Sequence, residues 1–256
     1  MLFAAALPEF LLAVVLAALF AVAMVRLRVL TRGGAAMAAA IGLAVIAGQG
    51  WLWLLPLLLF LGSGVLLGRL NRNARTDAKH GKPRDAMQVF CSGGLYALLA
   101  INDDFNADIW MSVSICVAMC DTWASEIGMY ASGRTWNMVT FRKVQPGLSG
   151  GVSVAGLVGG LIGSVLMGGL CSALIFHGFE REFYFGIACI LAGAGIIGML
   201  LDSLLGALVQ VKYNDGHGLS DSGSKHAGGA RWITNDLVNL LSNAAVVALA
   251  VALSLT

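Results

Sequence analysis

The sequence predicts an all-α, polytopic integral membrane bundle of about eight transmembrane helices, and three observations carry that expectation. Of the 256 residues, 58% are hydrophobic and only 12% charged, where a soluble domain is nearer a quarter charged. The apolar runs are continuous rather than alternating, which favours helices over a barrel. Lysine and arginine gather in every second connection between those runs, as the orientation rule for membrane helices requires.

In chain order the apolar runs place spans at residues 8–25, 34–48, 51–68, 88–101, 108–131, 151–176, 183–210 and 235–255. A hydrocarbon core about 30 Å thick needs roughly 20 residues of apolar helix, so the second and fourth are short. The first run has no basic flank before it and no small-residue cleavage site after it, so it reads as a retained span rather than a secretory signal. With the N-terminus outside, the connections 26–33, 69–87, 132–150 and 211–234 are cytoplasmic and hold fifteen of the sixteen Lys and Arg residues. That bias supports the span count, puts both termini outside, and fits a bacterial inner membrane. The remaining Arg181 lies in an outer loop with Glu180 and Glu182.

A single membrane domain over residues 1–256 is expected. Cys91, Cys116, Cys120, Cys171 and Cys189 all fall in apolar runs without disulfide or zinc spacing, and read as buried thiols. A net charge of +2 gives no reason to expect nucleic acid as a partner. Gly156, Gly159, Gly160 and Gly163 in the sixth span predict close helix packing.

Ionisable groups inside spans are costly and mark function. Asp121, Thr122, Ser125 and Glu126 fall within about 140° on a helical wheel. In the seventh span Asp202, Ser203, Gly206 and Gln210 share a face, and in the eighth Asn235, Asp236, Asn239 and Asn243 form a third stripe. Three polar faces on three helices are best satisfied by facing one another. Asp121 and Asp202 lie roughly 15 Å from the cytoplasmic ends of their spans, which predicts a shared cavity open to the cytosol. A fourth feature is residues 140–153, where Arg142 and Lys143 lead into a glycine-rich turn and a helix start. Such a turn suits an anion, although no Lys-Ser or Lys-Thr follows the glycines as in a Walker A loop. Acidic groups for Mg²⁺ beside basic groups and glycines for phosphate point to phosphoryl transfer.

These residues resemble a known family, that of the eukaryotic transmembrane protein nineteen and the plant phytyl-phosphate kinase. The matching stretches are residues 88–94, 121–128, 144–153, 201–207 and 234–242, a core spanning about residues 85–245. More remotely they resemble polyprenol and phytol kinases and phosphatidate cytidylyltransferases. The family usually has Asn-Gly-Gly where this chain has Ser92-Gly93-Gly94. The resemblance implies a prenyl-phosphate kinase that uses CTP or ATP to convert a phytyl-type isoprenoid monophosphate to its diphosphate. A phosphate monoester is already a dianion near neutral pH and needs little general base, whereas an alcohol acceptor would need one, and Asp121 or Glu126 would serve. The sequence leaves the two acceptors open, and phosphoryl against nucleotidyl transfer as well.

In this reading Asp121, Glu126, Asp202 and Asp236 hold Mg²⁺ or its waters, and Asp121, Glu126, Arg142 and Lys143 carry the catalysis. Arg142 and Lys143 neutralise phosphoryl charge. Gly147, Ser149, Gly150, Gly151 and Ser153 cradle phosphate, and Asn235 and Asn239 complete the nucleotide site. The prenyl tail lies between helices toward membrane lipid, and a homo-oligomer is compatible with the sequence. A lipid or ion transporter is the competing class, but no internal repeat supports it. The basic connection 69–84 reads mainly as a topogenic signal, with attraction of anionic lipid or substrate phosphate as the alternative. The loop 211–234, with His217 and His226 out of metal spacing, reads as a lid over the site.

Overall fold

The computed structural model describes residues 7–74, 83–131, 133–176, 181–214 and 218–254. Eight α-helices fall on the eight expected segments: α1 (Leu7–Arg26), α2 (Arg32–Gln49), α3 (Leu54–Ala74), α4 (Ala86–Ala100), α5 (Ala107–Tyr130), α6 (Val154–Ile175), α7 (Arg181–Leu208) and α8 (Asn235–Ser254). A 3₁₀ turn, Trp51–Trp53, leads into α3. Six helices are long and apolar enough to cross a membrane. The other two are α4, with 15 residues, and α5, which carries Asp108, Asp121 and Glu126.

α5 is the hub, packed by α3, α4, α6, α7 and α8. From Trp110 to Cys120 every residue of it is buried, and its carboxylates Asp108, Asp121 and Glu126 flank that stretch, each half-buried. The glycines of α6 make this possible. A methyl group on Gly160 would meet the Cys120 carbonyl and the Ala124 side chain, and one on Gly163 would meet Trp123. Gly198 of α7 faces Val117 in the same way. Gly160→Leu is therefore expected to cost about 1–3 kcal/mol, read as a lower thermal midpoint in detergent; an unchanged midpoint would mean the α5–α6 contact is loose. Of the five thiols, Cys91, Cys116, Cys120 and Cys171 are buried as expected, but Cys189 is exposed on α7. An apolar setting in a membrane helix therefore did not mean burial inside the protein: much of the outer surface of such a bundle is itself apolar.

Two small antiparallel sheets fill connections that the sequence reads as turn and lid. The first runs β2 (Lys143–Val144), β1 (Thr135–Asn137), β3 (Gly151–Val152), and the second β5 (Leu219–Ser220), β4 (Lys212–Asn214), β6 (Lys225–Gly228). Because β3 takes Gly151 and Val152, α6 begins at Val154 rather than 151, capped by the Ser153 hydroxyl accepting from Gly156 N–H at 3.1 Å. The loop expected as a lid thus contains a three-stranded sheet. His217, Glu180, both chain ends and residues 75–82 of the basic 69–84 connection lie outside the described residues.

Candidate functional site

The three polar stripes do meet. Asp121 and Thr122 of α5, Asp202 of α7, and Asn239, Ser242 and Asn243 of α8 line one small cavity. Ser92 of α4 joins them, with Cys91, Val117 and Ala118 as apolar wall. The Ser242 hydroxyl donates to Asp202 Oδ2 at 3.2 Å. Asn239, with its amide nitrogen turned toward acceptors, donates to Asp202 Oδ2 and to the Asn235 carbonyl, each at 3.0 Å. Asn243 donates to the Ser114 carbonyl at 3.1 Å, which leaves its Oδ1 buried and unpartnered on a residue only 2% exposed. Among the described residues none donates to Asp121, whose charge acts on Asp202 across the cavity. Two carboxyl groups and an orphan carbonyl oxygen line one space, a set of oxygen donors compatible with a cation.

Beside the cavity sits Arg84, which the sequence reads mainly as a topogenic charge. Its backbone is pinned to the α1–α2 connection: Arg84 N–H donates to the Val29 carbonyl and Thr31 N–H to the Arg84 carbonyl, both at 3.0 Å. Gly34 has no side chain to obstruct that contact. A methyl group on Gly64 of α3 would lie 3.4 Å from both the Arg84 guanidinium and Thr122, so the guanidinium reaches the rim of the cavity. Burial lowers its pKa, opposed by the carboxylates of Glu126 and Asp236.

The glycine turn packs on the end of α7. Gly147 and Gly150 have φ of +87° and +80°, a region that favours glycine, and a side chain on Gly150 would overlap the Ala207 backbone. Ser149 is the polar centre of the turn. Its N–H donates to Asp221 Oδ2 at 3.0 Å and its hydroxyl to the same oxygen at 2.7 Å. Gln210 Nε2 donates to Ser149 Oγ at 2.8 Å, and Asn235 Oδ1 lies 3.1 Å from that hydroxyl. Lys212 Nζ donates to the Ser149 carbonyl and to Asp221 Oδ1, both at 2.8 Å. A polar path therefore runs from Asp221 through Ser149, Asn235 and Asn239 to Asp202.

A family model described as an integral membrane protein, DUF92, matches residues 15–247. The chain belongs to this family. It is 27% identical over 164 residues to Protein PGR of Arabidopsis thaliana, a match covering 54% of this chain and 56% of that protein. It is 28% identical over 169 residues to an uncharacterized membrane protein of Methanocaldococcus jannaschii, covering 64% of this chain and 67% of that one. The chain thus matches little more than half the length of Protein PGR. No solved structure matches the chain.

Within this DUF92 fold the expected site residues divide into groups. Asp121, Asp202 and Asn239 share the cavity, and Asn235 and Ser149 join it through hydrogen bonds. Glu126 and Asp236 lie in the field of Arg84 and do not line that space. Gly151 N–H is taken by the Leu148 carbonyl at 2.9 Å, and Ser153 caps α6. Arg142 and Lys143 are exposed at the edge of the first sheet. Lys212 and Asp221 carry no signal in the sequence that marks them as site residues. A Lys and an Asp nine positions apart in a polar loop are too weak a signal to single out.

Proposed function

We propose that this integral membrane protein is a prenyl-phosphate kinase, moving a phosphoryl group from CTP or ATP to an isoprenoid monophosphate at the cytoplasmic side of a bacterial inner membrane. The observation that carries the reading is the meeting of Asp121 and Asp202 in one cavity, joined by hydrogen bonds to the glycine turn at Ser149. The donor set fits Mg²⁺. Among the described residues no three His, Cys, Asp or Glu side chains converge as a metal cage. Mg²⁺ is normally held by one or two carboxylates, waters and substrate phosphates rather than by protein alone. Asp121 and Asp202 would hold it, with Asn243 Oδ1 orienting a water, and its role when bound is to neutralise oxygens of the donor phosphates.

The acceptor's phosphate oxygen attacks the terminal phosphorus of the donor, the bond from that phosphorus to the bridging oxygen breaks, and the nucleoside diphosphate leaves with the electron pair. A dianionic acceptor has no proton to lose. Catalysis is therefore positioning and charge neutralisation, to which Arg84 at the rim contributes beside Arg142 and Lys143 from the first sheet. The apolar wall of Cys91, Val117 and Ala118 faces a prenyl chain without stranding polar groups.

The test is to incubate the detergent-purified protein with Mg²⁺, labelled CTP or ATP, and a panel of prenyl alcohols and monophosphates, then resolve the lipids. Label in a prenyl diphosphate is the expected result. Label in a monophosphate would make it a prenol kinase, a nucleotidyl lipid would make it a cytidylyltransferase, and no labelled lipid from any acceptor would reject nucleotide-dependent catalysis.

A further inference from the structure

We propose that Ser149 and Lys212 form a binding site for a phosphoryl group, filled in the resting protein by the carboxylate of Asp221. The inference rests on the kinase reading and adds to it two residues, Lys212 and Asp221, and an order of events. The donors converging on Asp221 are those that recognise phosphate: a backbone N–H, a hydroxyl and an ammonium, at 3.0, 2.7 and 2.8 Å. The carboxylate uses both oxygens, as two oxygens of a phosphoryl group would.

The scaffold for these donors is independent of Asp221. Ser149 is fixed because Gly150 and Gly206 bring the turn against α7, and Lys212 is tied to the Ser149 carbonyl. Asp221 instead follows the two-residue strand β5 and precedes exposed Ser222, Gly223 and Ser224. Its displacement would move a loop segment rather than a helix. The Lys212–Asp221 pair is also nearly dry, with side chains 11% and 10% exposed, a setting in which ion pairs add little net stability.

A second feature points to a ligand. Gln210 is 2% exposed, donates to the Ser149 hydroxyl, and has its own Oε1 buried without a partner. That oxygen would accept from a hydroxyl or a bound water entering with the phosphate. The site also lies on the polar path to Asp202, and Gly206, which touches Ser149 and Gly150, is about 6 Å along α7 from Asp202. A phosphate chain reaching from the Ser149 turn toward the carboxylate cavity spans that order of distance.

Inorganic pyrophosphate and a short-chain prenyl monophosphate, each titrated calorimetrically into the detergent-purified protein, separate donor-type from acceptor-type phosphate. Asp221→Asn keeps shape and removes the competing charge, and is expected to tighten binding of one of the two by about tenfold. Lys212→Met is expected to weaken the same probe by a similar factor. Unchanged or weaker binding of both probes to a folded Asp221→Asn protein overturns the proposal. Wild type provides an independent reading: the tighter probe should speed protease cleavage after Lys225, and protection or no change there also counts against displacement. Phosphoryl transfer without the affinity gain would sink this inference and leave the kinase. The gain without transfer to any lipid would do the reverse.

Discussion

Asp121→Asn is expected to lower phosphoryl transfer by roughly a thousandfold while raising the thermal midpoint of the ligand-free protein. The two effects share one cause. Asp121 and Asp202 face the same cavity, Asp202 has Ser242 and Asn239 as donors, and among the described residues Asp121 has none. Removing its charge relieves a repulsion in the resting state and removes a ligand from the loaded one, a trade of stability against function. Mg²⁺ should raise the midpoint of wild type through binding to the folded form, and should do so weakly or not at all in Asp121→Asn. Chelation with EDTA should reproduce the loss of activity in wild type. A variant that kept its turnover and its response to Mg²⁺ would remove Asp121 from the metal site.

Arg84→Gln is expected to destabilise the protein by about 2 kcal/mol, less than the loss typical for breaking a fully buried ion pair because the side chain is only half-buried. Its guanidinium stands among α3, α5 and α8, in the field of Glu126 and Asp236. Without it, Glu126 and Asp236 lose a counter-charge. The pairwise nature of the effect is checked by the double variant Arg84→Gln, Glu126→Gln, measured by denaturation in detergent. Coupling should return about 1 kcal/mol or more of the loss; strict additivity would show that Arg84 acts through its backbone anchor at Val29 and Thr31 alone.

The eight helices were legible because lipid demands long apolar runs, and the charge bias marked which connections share a side. The cavity was legible too: Asp121, Asp202, Asn239 and Asn243 repeat with helical spacing, and polar faces in an apolar setting have few places to go. The two sheets were not legible. Their strands run two to four residues, too short to show alternation, and their order is set by contacts between distant segments. Arg84 was hidden for a related reason. It sits in a basic connection where charge is expected, and its meaning comes from α3, α5 and α8. Asp221 was hidden by composition, since a loop of Asn, Asp, Gly and Ser looks solvated until Lys212 and Ser149 close on it. The glycine turn was legible as a turn, but the reason for Gly150 is the backbone of Ala207, which no local pattern reveals.

The burial of α5 has a consequence for how the protein is made. A helix bearing carboxylates at its centre partitions poorly into lipid by itself, at about 2.5–3.5 kcal/mol for a central Asp on the insertion scale. It reaches the bilayer with two of its partners ahead of it, α3 and the short α4, the latter joined by a connection whose Asp104 and Asn106 N–H groups donate to Asn102 and Asp104 side chains at 2.9 Å. The glycines that sheathe it arrive later in synthesis, on α6 and α7. α5 therefore waits, poorly matched to its solvent, until the C-terminal half of the chain has been translated, and variants that disturb α6 glycines should be lost to quality control at the membrane before they are ever scored for activity.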